Sequence, residues 1–412
     1  MRHDSKTPRK AAFIFVFITI VLDMLALGMI IPVLPKLIEE FTGGDTVKAA
    51  GMVGIFGTVW ALMQFIFSPL LGACSDRFGR RPVILVSNFG LSLDYVLMAL
   101  APNLGWLFVG RIISGITAAS ISTSMAYIAD VTPPEQRSAQ FGKLGVAFGL
   151  GFVLGPALGG LLTDFGLHAP FWVAAALSLT NALYGLFVLP ESLPPELRTK
   201  FTWQSANPLA ALALFRRYKQ LVGLAAVGFL SNLSHYVLQA TAVLYVGHRY
   251  GWGPKLVGAM LTTVGVTNGL VQGALVRPVV AKFGDRKVLL AGLLFGSLGF
   301  AVYGWAPTGW LFVCGVPILA LWGLAGPTAQ GLMSRMVGPQ EQGLLQGAAS
   351  SINGIAGMIG PTLFGQTFAL FIGPGRPADL PGAAFFLATA LLLAATALAA
   401  TQTGAEPAPT SA

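Results

Sequence analysis

Apolar residues run along this chain in blocks of about twenty, separated by short polar stretches, and the pattern recurs from end to end. A block of that length wound as an α-helix crosses about 30 Å of hydrocarbon. The blocks predict twelve helices, near 11–32, 48–73, 82–101, 104–129, 138–162, 168–190, 219–245, 255–281, 286–305, 308–333, 342–371 and 381–401. The longest polar connection, 191–218, divides them six and six. The expected architecture is an all-α membrane protein. Residues 1–190 form an N-terminal six-helix bundle, 191–218 a linker and 219–401 a C-terminal six-helix bundle. Residues 402–412, small, polar and proline-bearing, are expected to be a disordered tail.

The basic N-terminus, "MRHDSKTPRK", runs into an apolar stretch with no small-residue cleavage site, so the first span is read as uncleaved. Twelve spans leave both termini on one side. Nineteen lysines and arginines fall on the side of the termini. Only Lys36, Lys48, Arg249, Lys255 and Arg376 fall on the other, and Arg111 lies inside a span. Cytoplasmic loops carry the excess of basic residues, so both termini are expected in the cytoplasm.

Composition agrees. Of 412 residues, 55% are hydrophobic and 10% charged, against roughly 25% charged in soluble domains. The net charge of +9 follows from the basic loops, and nucleic acid is not expected as a partner. Cys74 and Cys314 sit in unrelated segments and imply no disulfide framework.

The halves echo one another. "RFGRRPVILV" at 77–86 is similar to "KFGDRKVLLA" at 282–291, and "GPALGG" at 155–160 to "GPTLFG" at 360–365, each offset by about 205 residues. Duplicated bundles are a transporter architecture, with the site between the repeats. Any duplicated bundle would show such echoes, so the polar residues must carry the function.

Four of them stand inside the first half: Asp23, Gln64, Asp94 and Arg111. Asp94 lies in "NFGLSLDYVLMALAP", where everything around it is apolar or small. Asp23 and Asp94 are each about twelve residues, roughly 18 Å, past the start of their spans, and Arg111 is at a similar height. A charge at a helix centre costs about 2.5–3.5 kcal/mol on insertion scales, and such residues face a partner or a wet cavity. Burial favours the neutral carboxyl group and a nearby arginine the charged one, so a balanced aspartate can load and release a proton. The alternative is a static Asp94–Arg111 pair that only ties helices. The second half offers Asn232, His235, Gln239, Asn268, Gln272 and Gln330 but no embedded acid, with Asp285 expected in a loop.

Two motifs complete the reading. "GACSDRFGRRPVIL" joins the second and third spans, with Gly72 and Gly79 for a tight turn and Asp76, Arg77 and Arg80 for charge. Asp130 ends the fourth span on the same side. A purely topogenic basic loop would need neither the aspartate nor the glycines. In the fifth span, Gly151, Gly155, Gly159 and Gly160 recur with Pro156 among them, a pattern for close packing with a kink.

The loop resembles the signature of the major facilitator superfamily, G-x-x-x-D-R-x-G-R-R. That resemblance implies the major facilitator fold and a latch built from Asp76, Arg80 and Asp130. "GLGFVLGPALGG" resembles the antiporter motif of proton-coupled exporters. "ALMQFIFSPLLGACSDRFGRRPV", "SLDYVLMAL", "GRIISGITAAS", "HAPFWVAAAL" and "EQGLLQG" resemble the tetracycline efflux proteins. By that resemblance Asp23, Asp94 and Arg111 would couple protons. Gln64, Ser87 and Asp94 would contact a drug carried as its magnesium chelate, with Asn268 and Gln272 expected, from their place among the neutral polar residues of the second half, to add contacts. The family implies no cofactor and no metal site of the protein's own, only a small-molecule drug and protons, and a monomer in the inner (plasma) membrane lipid bilayer. The chain departs from several members at Asn268, where they carry histidine, and near Gly296, where they carry an acid.

A broader multidrug:proton antiporter is compatible with that departure. A metabolite importer or facilitator on the same fold would not need a midplane aspartate. An enzyme is not expected, because no nucleophile–base pair, metal cluster or phosphate loop is evident.

Overall fold

A computed structural model describes residues 7–402, apart from 119, 203–205, 339, 340 and 377. Residues 403–412, nearly all of the expected tail, lie outside this range. Every regular element among the described residues is a helix, and twelve helical runs are long and apolar enough to cross a membrane.

The chain divides into two compact units. The first holds the described residues up to Asp45, Val59–Pro208 and Trp252–Gly265. The second holds Thr46–Thr58, Leu209–Gly251 and the described residues from Val266 onward. The units therefore do not follow the chain order of the two sets of six spans.

In the first unit, α1 (Thr7–Ile30) and α2 (Leu34–Phe41) form one apolar run broken at residues 31–33. Pro32 and Pro35 account for the break, since proline disfavours helix in the residue before it. The first span thus runs on to Phe41, past the expected end at 32. Next come α3 (Thr46–Phe78), α4 (Arg80–Ala99), α5 (Leu104–Thr117), α6 (Ser120–Val131), α7 (Pro134–Leu162) and α8 (Ala169–Val188). Phe15, Val16, Ile20 and Met24 of α1 pack with Ile84, Tyr127, Ile128 and Leu144 in a buried core.

Helix α7 approaches its neighbours at backbone distance. A Cβ on Gly151 would lie 2.2 Å from the Met24 side chain, on Gly155 2.7 Å from the Gly28 Cα, and on Gly159 2.2 Å from the Met29 carbonyl. These three glycines seat α7 on α1. Gly160 faces elsewhere: its Cβ would fall 2.7 Å from the carbonyl of Pro254, the first residue of α11 (Pro254–Leu270). The helix continues through Pro156.

After the linker helix α9 (Leu214–Arg217), the second unit is built on α10 (Leu221–Tyr250). The others are α12 (Val276–Phe283), α13 (Asp285–Trp305), α14 (Gly309–Ala320), α15 (Ala325–Arg335), α16 (Gln342–Ile372) and α17 (Ala383–Gln402). Aromatic rings fill its centre: Tyr303 stacks on Phe312 at 3.9 Å, and Tyr245 meets Phe385 edge-on at 4.9 Å. The first turns of α3 belong here, with the Thr58 hydroxyl 3.0 Å from the Met358 carbonyl. Asp285 begins α13; the expectation of a loop position was off because the helix starts directly after the turn at Gly284.

On α4, Leu93 is 54% exposed while Asp94 beside it is fully buried. That ordering suits a helix whose outer face meets hydrocarbon and whose inner face meets protein.

The α1–α7 contact can be tested. Gly155→Leu should overpack it at a cost of about 1–3 kcal/mol or more, lowering the thermal midpoint or the yield of folded protein. Gly149→Leu, where a Cβ meets nothing within 4 Å, should leave both unchanged. Equal behaviour of the two variants would contradict the packing described.

Candidate functional site

The acidic site is built within the first unit. Asp94 lies fourteen residues past Arg80, about 21 Å along a helix of about 30 Å, so somewhat beyond its middle. Neither carboxylate oxygen has a hydrogen-bond partner among the described residues. One of them packs against α5, where a Cβ on Gly110 would sit 2.7 Å away. Glycine there lets the carboxylate reach the backbone beside Arg111. The Arg111 charge and the Ser114 side chain are its electrostatic neighbours, without the geometry of a hydrogen bond to it.

Arg111 is held another way. Its guanidinium carbon stands 5.4 Å from the ring centre of Trp60, and the Trp60 indole donates to the Ser114 hydroxyl at 3.2 Å. A ring face attracts a cation by about 0.5–2 kcal/mol, most when desolvated. Trp60 therefore shares the arginine with Asp94. Gln64 is half-buried one turn along α3 from Trp60, a spacing that puts both on one face. Ser87 is buried two turns before Asp94 on α4, its hydroxyl unpartnered among the described residues. Asp23 is also buried but differently placed: its Oδ1 accepts from the Asn181 amide at 3.0 Å. Asn268 lies in the last turn of α11, and Gln272 in the π-helical segment Val271–Leu275 that follows; both belong to the second unit.

The α3–α4 loop centres on Arg80. Its Nε donates to Asp130 at 3.0 Å, and one terminal nitrogen donates to Asp76 and to Ser75, the latter at 2.7 Å. Gly79 sits at φ 108°, where only glycine is at ease. A side chain there would also strike Glu191 at 2.2 Å. The Glu191 carboxylate accepts from the backbone N–H groups of Arg80 and Arg81 at 2.8 and 3.2 Å, and of Ser192 and Leu193 at 3.0 Å each. It caps α4, satisfying donors a helix start leaves open. Ser192 adds a bond to Asp130 at 3.1 Å. Arg77 stands apart, its guanidinium 5.0 Å from the Phe78 ring; Gly72 lies within α3 and not in the turn expected of it, and a Cβ there would meet nothing within 4 Å.

The family model described as Major Facilitator Superfamily matches residues 16–361 and again 224–411. The chain belongs to the major facilitator superfamily. It is thus a transporter and not an enzyme, and a multi-pass plasma-membrane protein. The tetracycline resistance protein of class C from Escherichia coli is 36% identical over 87% of this chain and 90% of its own length. The class B protein from the same species is 36% identical over 83% and 85%. The human organic anion transporter MFSD10, a solved structure, is similar at TM-score 0.71 and 26% identity, over 95% of this chain and 99% of that one.

Within the superfamily fold the second unit repeats the loop with its charges reversed. Some 205 residues beyond Gly79, Arg80 and Asp130 stand Gly284 at φ 77°, Asp285 and Arg335, and Asp285 pairs with Arg335. The neighbouring linker is pinned separately, Arg217 to Glu341 at 2.6 Å, with the Tyr218 hydroxyl donating to the same carboxylate. Gly296, near which the family resemblance would place an acid, is filled from outside: a Cβ there would be 2.8 Å from the Trp322 ring. Sequence reasoning missed Trp60, Ser114 and Glu191. The only local signal for Glu191 was a "PES" at the end of a span, and for Trp60 its spacing from Gln64.

Glu191→Ala should cost roughly 1–2 kcal/mol of stability through loss of the cap, read as a lower thermal midpoint. A midpoint equal to that of the unsubstituted protein would mean the four backbone bonds are not held in solution.

Proposed function

We propose that the chain exports a drug in exchange for protons, and that tetracycline, carried as its magnesium chelate, is the substrate. The observation that carries the reading is Asp94: fully buried, unpaired by hydrogen bonds, and beside an arginine that also faces Trp60. A carboxyl group so placed gains or loses a proton with little rearrangement around it. Protonated, it leaves Arg111 to Trp60; ionised, it offers a cationic chelate an opposite charge in a poorly screened site. Asp23, held by Asn181, adds negative charge on α1, and Gln64 and Ser87 offer neutral hydrogen bonds near Asp94. The relatives named for tetracycline resistance support the substrate. The termini are cytoplasmic, which sets the Arg80 latch at the cytoplasmic mouth, and the protein works as a monomer in the inner membrane. Proton motive force drives the cycle, at about 2.3 kcal/mol per charge per 100 mV.

A broader multidrug exporter is the second reading. It is favoured by Asn268 and Gly296, which leave those two places in the second unit without charge.

Everted vesicles energised by a proton gradient separate the readings. Wild type should take up tetracycline with magnesium, and collapse of the gradient should stop uptake. Asp94→Asn should abolish uptake with the protein still folded and inserted; full uptake by that variant would remove Asp94 from the mechanism. Gln64→Ala should reduce tetracycline uptake about tenfold and that of an unrelated dye cation less. Dye uptake with none of tetracycline at any magnesium concentration would leave only the multidrug reading. In the same vesicles Arg80→Ala should slow turnover and spare drug binding, and a collapse of affinity would refute the latch.

A further inference from the structure

The second unit carries an aromatic and polar wall at mid-depth that the proton chemistry above does not use. His235 lies fourteen residues along the span Leu221–Tyr250, and Trp322 thirteen along the span Gly309–Arg335. Each is roughly 20 Å in, at the middle of its span. The two rings meet at 5.7 Å. His235 is exposed, and so is Gln239 one turn on, a spacing that puts both on one face of α10. At that depth exposed polar groups do not face hydrocarbon; they border a water-filled space. Trp322 belongs to the 3₁₀ segment Leu321–Leu324 between α14 and α15 and is partly exposed. Its ring is fixed from three sides. The indole donates to the Ser231 hydroxyl at 3.1 Å, Phe300 meets it edge-on at 5.4 Å, and Gly296 leaves room for it, since a Cβ there would be 2.8 Å from the ring. Gln272, also exposed, lies against the residue after it: a Cβ on Gly323 would be 3.5 Å from the Gln272 side chain.

We propose that this wall binds the planar aromatic part of the transported molecule, its ring face stacked on Trp322 and its polar edge hydrogen-bonded by His235 and Gln239. A ring already fixed by Ser231, Phe300 and the space at Gly296 loses little freedom when another ring stacks on it. Flat rings prefer offset or edge contacts with such a surface, which an aliphatic molecule of equal size cannot make. The Gln239 amide offers both donors and an acceptor, and the imidazole at least one donor. Carbonyl, hydroxyl or amino groups on a ring edge are thereby met. Aromatic walls with a few placed polar groups are the usual form of a small-molecule site. The wall differs in chemistry from the acidic site, because no carboxylate or guanidinium takes part in it. It deepens the export reading and rests only on the chain being a transporter, not on which drug it carries.

Equilibrium dialysis against the full chain in lipid nanodiscs, with empty nanodiscs subtracted, measures the affinity of two flat probes, magnesium–tetracycline and ethidium. Both should bind the unsubstituted protein. Trp322→Leu should weaken each about tenfold, the size of one stacking contact. Trp322→Phe, which loses the indole bond but keeps a ring, should stay within about twofold. His235→Ala should weaken each about fivefold, the size of one hydrogen bond, with an unchanged thermal midpoint because the side chain is exposed. That variant decides the matter if Trp322→Leu fails to fold. Ethidium bound with this dependence, and tetracycline not bound at all, would support the wall and end the tetracycline reading. Equal weakening by Trp322→Phe and Trp322→Leu would make the ring a packing element held by its indole bond, and would overturn the proposal. Unchanged affinity in Trp322→Leu and His235→Ala, or no binding of either probe, would overturn it too.

Discussion

A carboxylate cannot face hydrocarbon, and the first unit is arranged around that constraint. Asp94 occupies the inward side of α4, while Leu93 takes the outward one. Enclosing it requires α5 to approach closely, which Gly110 permits, and α8 packs along the same stretch, the Ser92 hydroxyl donating to the Ala175 carbonyl at 3.1 Å. What remains unmet is the hydrogen bonding of the acid itself. In a protein interior such a group costs about 1–3 kcal/mol, more when charged. A static tie between helices would be expected to satisfy it; the unmet bonds fit the proposed role, in which the group alternates between two protonation states.

Much of this was legible in the sequence because membrane physics is severe. Hydrocarbon thickness sets span length, so all twelve spans could be placed, and charges inside them stood out against apolar neighbours. Asp76, Arg80 and Asp130 were legible for the opposite reason: a paired acid in a basic loop is more than topology needs. What escaped was whatever acquires meaning only through contact between distant segments. Trp60 is an ordinary aromatic in its span until Arg111 arrives over it. Glu191 is an ordinary acid in a polar linker until it caps α4, more than a hundred residues earlier. Element ends were less legible too. Proline broke the first run at residues 31–33 without ending it, and the π-helical turn after Leu270 has no local signature.

The two units differ in electrostatic character despite their common ancestry in pattern. The first carries buried acids and an arginine inside its spans; the second has neutral polar groups, a dense aromatic centre and Trp322 over Gly296. At the loops the same positions recur with charges exchanged, Arg80–Asp130 against Asp285–Arg335. Ion-pair geometry is preserved on reversing both signs, so the duplication kept the interaction and not the residues. On the proposed reading, proton handling falls to the first unit and neutral polar contacts to the second.

Proton release on drug binding tests the role of Asp94 most directly. Purified protein in weakly buffered nanodiscs is mixed with preformed magnesium–tetracycline, and a pH-indicator dye follows the release. About one proton per chain is expected from the unsubstituted protein and none from Asp94→Asn. Equal release from both would place the coupled proton elsewhere and contradict the role given to this carboxylate.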